Sequence, residues 1–230
     1  MVDFLAVGTH PDDVEIGVGG TLATLIGQGR SCAALDLTSG EPTPHGTPET
    51  RKAETEKANV ILGLKQRISL DLPNRWLMDT VEARVKVAEV FRTLKPKVLL
   101  LPHWEDAHPD HIQASQLCQA ARFVSKYTKT DMAGDPHYPP KVFYYFGSHL
   151  KKPASPIFVF DVSECFAKKI EAIRAYHSQF FADGAERGED LVRRIEAQAA
   201  YFGGLVGARH GEPFFSHEML GVRSFDPFVA

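Results

Sequence analysis

Residues 2–20 read VDFLAVGTHPDDVEIGVGG, and residues 97–111 read KVLLLPHWEDAHPDH. Each stretch opens as a short apolar run and closes on histidines and carboxylates. An apolar run of this length, stopped by Gly8 or Pro102, reads as a buried strand. The same alternation continues along the chain. Residues 31–37, 67–72, 141–146 and 157–162 read as strands. Residues 21–28, 48–62, 80–94 and 110–127, a stretch running from Ser163 to Phe180, and 189–202 read as helices. Thr47 is an N-cap signal, Pro48 suits a first helical position, and Gly63 suits a C-cap. Strands alternating with helices predict an α/β fold, a Rossmann-like, mostly parallel sheet with helices on both faces. No internal repeat or interdomain linker interrupts it, so residues 1–230 are expected to form one domain. In such a sheet, ligands bind beyond the carboxyl ends of the strands, where both polar clusters fall.

Composition narrows the function. Apolar residues make up 43% of the 230 residues, charged residues 24%, and the net charge is −3. No Lys/Arg block stands out, which argues against nucleic acid as a partner. No apolar run approaches the ~20 residues needed to cross a bilayer. The N-terminus meets acids at once and lacks a basic leader, so a cytoplasmic protein with no membrane partner is expected. Cys32, Cys118 and Cys165 are widely spaced and form no CxxC pair, which speaks against a disulfide framework.

The clusters themselves suggest metal chemistry. His10, Asp12 and Asp13 offer nitrogen and oxygen donors at one strand end. Two adjacent acids in a sharp turn do not readily reach the same ion. One binding while the other faces a water would supply a ligand and a base. His108 and His111 lie three apart on a helix opening at Pro109, so they share a face. One can ligate while the other stands beside it. Either cluster alone is equally explained as turn and cap chemistry. Together they offer two histidines and one aspartate with an open position, the composition of a catalytic zinc site. Gly17-Val18-Gly19-Gly20 invites a nucleotide-binding reading, but the spacing misses G-x-G-x-x-G. Close packing in a loop around the site is the plainer account. Residues 210–217, with His210, Glu212, Phe214 and His217, read as a loop, either a rim over the site or a packed tail.

The order HPDDxExGxGG, then Arg51 with Glu54, then PxxEDxHPDH resembles the PIG-L/LmbE-like deacetylases. The segments LDLTSGE, GTPETRKAE, LPNR, KPKVLLLP, AYHSQF and FGGLVGARHGEPF resemble the bacillithiol-biosynthesis branch. The resemblance implies that His10, Asp13 and His111 hold Zn(II), although Fe(II) accepts the same donors. It implies Asp12 as general base and His108 as the group that steadies the oxyanion or protonates the leaving amine. It places Arg51 on the substrate, where the alternative is an ion pair with Glu54 along the helix. From the residues themselves Arg75 is a weaker candidate, and Trp104, beside the second motif, offers a ring to stack on a sugar, although large aromatics more often serve as packing. The implied substrate is N-acetylglucosaminyl malate, and the implied assembly is a homo-oligomer. A chito-oligosaccharide or a mycothiol-type precursor is the alternative. Ala107, Asn74 and His103 depart from the branch pattern.

Overall fold

The computed structural model describes residues 1–147, 149, 155–182 and 184–222. Seven strands form one sheet: β1 (Phe4–Gly8), β2 (Cys32–Asp36), β3 (Arg67–Ser69), β4 (Val98–Pro102), β5 (Lys141–Tyr145), β6 (Phe158–Asp161) and β7 (Gly211–Phe215). Their order is β3-β2-β1-β4-β5-β7-β6. The first five pair in parallel, and β7 lies antiparallel between β5 and β6. The predicted α/β sheet is therefore present, with one reversed strand.

Helices cover both faces because the buried strands are apolar on both sides. Leu5 and Val7 of β1 pack toward α3 (Val81–Leu94) and α4 (Pro109–Val124), through Val87, Phe91 and Leu117. Ala6 points the other way, into a core shared by α1 (Asp13–Gly27), α2 (Pro48–Leu62) and α5 (Phe166–Ala175). The α2 signals act as read: the Thr47 hydroxyl accepts from the Thr50 N–H at 3.2 Å, and Gly63 closes the helix at φ 79°. Cys32 and Cys118 are buried free thiols, and burial pushes the Cys32 thiol up to about 12.

Four expectations need correction. Residues 13–20 are not a loop but the first half of α1, which bends at Val18 (φ −137°, ψ 18°). The glycines weaken local helix propensity, yet they are required by packing. A Cβ on Gly17 would lie 2.3 Å from the Tyr145 ring, and one on Gly20 would lie 2.9 Å from Val162. The helix expected from Ser163 to Phe180 breaks at Tyr176 (ψ 57°), leaving α5 and a short α6 (His177–Phe180). The last helix, α7 (Ala185–Gly204), starts earlier than Glu189. The C-terminal loop is instead β7, whose Pro213 and charged Glu212 disguise a buried strand. Glu212 is buried because it is fully engaged. It accepts from the N–H groups of Gly20 (3.0 Å) and Thr21 (2.8 Å), restarting α1 after its bend, and from Lys169 Nζ at 2.5 Å.

Candidate active site

The strand order reverses between β1 and β4, so their C-terminal ends open a crevice there. His10, Asp12 and Asp13 leave β1 into it, and His108 and His111 enter from β4 through the first turn of α4. Donor atoms of His10, Asp13 and His111 lie within 4.8 Å of one another. Asp13 Oδ2 stands 3.4 Å from His10 Nδ1 and 3.4 Å from His111 Nε2. The same oxygen accepts the Thr9 and His10 N–H groups at 3.1 and 2.9 Å, which locks the turn.

A second group, His10, His108 and Asp110, is equally compact. Two of its members, His108 and Asp110, are already occupied. Asp110 accepts from the N–H groups of Arg75 at 2.6 Å and Leu77 at 3.4 Å, anchoring the 74–77 loop. His108 caps α4, its Nδ1 accepting from the Asp110 N–H at 3.2 Å. In the neutral ring this acceptor role leaves the proton on Nε2, a tautomer assigned from the hydrogen-bond network. The first group therefore fits a divalent ion better: two imidazoles and one carboxylate, with donors facing one point.

Both histidines of that group are backed by carboxylates. His111 Nδ1 lies 3.2 Å from Asp106 Oδ2, and His10 Nε2 lies 3.6 Å from Asp110 Oδ2. Asp106 also accepts the His108 N–H at 2.8 Å, and it fits only because residue 147 is glycine: a Cβ there would lie 2.1 Å from Asp106 Oδ2. Burial opposes charge on His111, but Asp13 and Asp106 outweigh it and push the imidazole up to about 10. Such a cage demands positive charge, which a bound cation would satisfy. His108 is held below its ordinary value by burial and by the neighbouring His111 and His10.

Asp12 stands beside this group at φ 113°, a conformation that costs a non-glycine residue ~1–3 kcal/mol. Burial and the Asp13 charge push its carboxyl up to about 7, against the pull of Arg51 and His10. Arg51 Nη1 donates to Asp12 Oδ2 and to the Pro11 carbonyl, both at 3.1 Å, while Nη2 donates to Gln179 of α6. Arg51, expected to contact substrate, lines the cavity, and its Nη atoms are engaged by Asp12, Pro11 and Gln179. Glu54 is not its partner, since that carboxylate binds the Ser178 N–H and hydroxyl.

The cavity over these groups holds about 600 Å³. Arg75 lines it. Trp104 does not. It packs between His103 and His217, with ring centroids at 4.1 and 3.8 Å, against Tyr144 and Phe215. The sequence reading missed Asp106, His149 and Gln179. His149 brings its ring 5.6 Å from His111 and 5.8 Å from His108. Asp106 and Gln179 sit inside EDxHPDH and AYHSQF, so the motifs carried a signal; nothing local marked His149.

A family model described as "PIG-L: GlcNAc-PI de-N-acetylase" matches residues 5–122. Diacetylchitobiose deacetylase of Thermococcus kodakarensis is 33% identical over 223 residues, covering 90% of this chain and 80% of that protein. A 1D-myo-inositol 2-acetamido-2-deoxy-alpha-D-glucopyranoside deacetylase of Nocardiopsis dassonvillei is 30% identical over 151 residues, covering 51% of this chain and 54% of that one. Among solved structures, the conserved protein TT1542 of Thermus thermophilus superposes with a TM-score of 0.89 at 38% identity, covering 97% of this chain and 98% of that one.

Proposed function

The chain belongs to the PIG-L family of de-N-acetylases, and we propose that it is a zinc-dependent hydrolase that removes acetate from N-acetylglucosaminyl malate. The observation that carries this reading is the meeting of His10, Asp13 and His111 donors within 4.8 Å, with Asp12 buried alongside. Those three residues would hold the ion; Fe(II) would suit the donor set as well. When bound, such an ion supplies positive charge that polarises an acyl oxygen and raises the nucleophilicity of water.

The rest follows from the side chains. Hydrolysis joins a water oxygen to the acetyl carbon, breaks the C–N bond and delivers a proton to the departing nitrogen. Asp12 takes the water's proton, its carboxyl already poised near neutrality by burial and Asp13. Arg51 holds Asp12 in place from behind. His108, with Nδ1 engaged by the Asp110 N–H, presents an Nε2 proton to developing negative charge on the acyl oxygen or to the amine. Either Asp12, now protonated, or His108 completes the transfer. The reading also carries a small-molecule sugar as partner and a homo-oligomer as assembly.

A second reading, deacetylation of a chito-oligosaccharide, is favoured by the 33% identity to the Thermococcus diacetylchitobiose deacetylase. The guanidinium of Arg75, which lines the cavity with no partner among the described residues, favours an anionic aglycone instead. Acetate release from N-acetylglucosaminyl malate, diacetylchitobiose and N-acetylglucosaminyl inositol separates these readings, with each assay repeated after metal stripping and zinc restoration. The malate conjugate is expected to be fastest, with activity lost on stripping and regained with zinc. Faster turnover of diacetylchitobiose would move the assignment to the second reading. Activity that survives stripping would end the metal-dependent account.

A further inference from the structure

The cavity extends well beyond the histidines, and its far wall is one face of α7. Arg187, Leu191, Arg194 and Gln198 recur at four-, three- and four-residue steps, so they form a single stripe along that helix. All four line the cavity, together with the apolar Ile195 and Ala199. The wall is a basic and apolar strip facing an open cavity, with Arg187 and Arg194 solvent-exposed and Leu191 and Gln198 half-buried.

The charges around the space are unequally matched. Its carboxylates are Asp12, Asp13 and Glu212, and each is already engaged by Arg51, by His10 and His111, and by Lys169, respectively. That engagement also uses up Arg51 and Lys169. The guanidiniums of Arg187 and Arg194 have no hydrogen-bond or ion-pair partner among the described residues. Two acids of α7 are directed elsewhere, Glu189 to Arg174 and Asp190 to Arg193. The protein carries a net charge of −3, yet among the described residues of α7 that line the cavity the only charges are positive. Both arginines are exposed, as on a solvated face, and both also share a cavity-lining stripe with half-buried Leu191.

We infer that this face of α7 is a subsite for an anionic group on the aglycone of the sugar, with Arg187 and Arg194 as its recognition residues. The inference rests on the proposed reading that an N-acetylglucosaminyl conjugate occupies the cavity. The two arginines stand about two helical turns apart, roughly 10 Å along the axis. Arginine side chains are long enough to close much of that gap, so both guanidiniums can converge on one compact dicarboxylate. Planar forks on carboxylates supply the specificity, and Leu191, Ile195 and Ala199 supply apolar contact for the carbon chain between them.

The test uses the metal-loaded full chain and the double variant Arg187→Gln/Arg194→Gln, with circular dichroism and zinc content checked first. The substrates are N-acetylglucosaminyl malate and the neutral methyl N-acetylglucosaminide. The wild-type preference for the malate conjugate, as a ratio of kcat/KM values, is expected to fall about 10- to 100-fold in the variant, mainly through KM. Calorimetric binding of glucosaminyl malate, which needs no turnover, should weaken by a similar factor. In the wild type it should also weaken with added sodium chloride. An unchanged ratio together with unchanged binding overturns the subsite. So does an equal loss on both substrates. Arginine-dependent, salt-sensitive binding without acetate release from either conjugate would leave the subsite standing while removing the deacetylase reading.

Discussion

Asp12 combines three unfavourable features: a positive φ, a buried carboxyl and an adjacent like charge on Asp13. A residue with only a structural task would relax out of at least one of them. We expect Asp12→Ala to keep its zinc and lose ~10²- to 10⁴-fold in kcat. Normal turnover by that variant would remove Asp12 from the base role. Asp106 reaches the same centre through His111 rather than by touching it. Replacing Asp106 with Asn should weaken zinc retention by ~10- to 100-fold, the usual effect of losing a carboxylate behind a ligating histidine. Competition with a chromogenic chelator measures this, and wild-type affinity would show that Asp106 does not orient the ring. The guanidinium of Arg51 donates to Asp12, so in the proposed reaction it would position the base.

The elements that carry these residues are held by close packing. Helix α1 passes so near β5 that Gly17 has no room for a methyl group beside Tyr145. Tyr145 is in turn fixed by its hydroxyl donating to the Val7 carbonyl at 2.7 Å. Gly17→Ala should therefore destabilise the fold by ~1–3 kcal/mol through overpacking, although alanine is the better helix former. Urea unfolding reports the change; a variant as stable as the wild type would mean that α1 can shift freely. The bend in α1 depends on Glu212 of β7, 192 positions from Gly20 in the chain. Glu212→Ala would strand the buried Lys169 ammonium and release the Gly20 and Thr21 N–H groups. Removing one partner of a buried pair costs ~3–5 kcal/mol. A loss below ~1 kcal/mol in the same assay would show that the bend does not need Glu212.

The molecule as assembled concentrates carboxylates and imidazoles in one crevice, and a bound cation should stabilise it by mass action. Chelation is expected to lower Tm, and stoichiometric zinc to restore it; identical melting with and without chelator would mean that the crevice holds no ion. No helix among the described residues is long and apolar enough to cross a membrane.

The strand–helix alternation and the two histidine-bearing motifs could be read locally because hydrophobic period, caps and strand-end turns are short-range properties. Thr47, Pro48 and Gly63 behave as their neighbours in the chain dictate. The same holds for the crevice, since a parallel sheet forces both motifs to one edge. What local patterns could not reveal are the contacts made across the fold. The chain's order does not show that Asp12 and Gln179 meet the Arg51 guanidinium, or that His217 and Phe215 pack on Trp104. Gly17 and Glu212 read as loop residues because their partners, Tyr145 and Lys169, lie on other elements. Propensity describes a residue against its nearest neighbours, whereas burial and charge pairing are settled by whatever the folded chain places beside it.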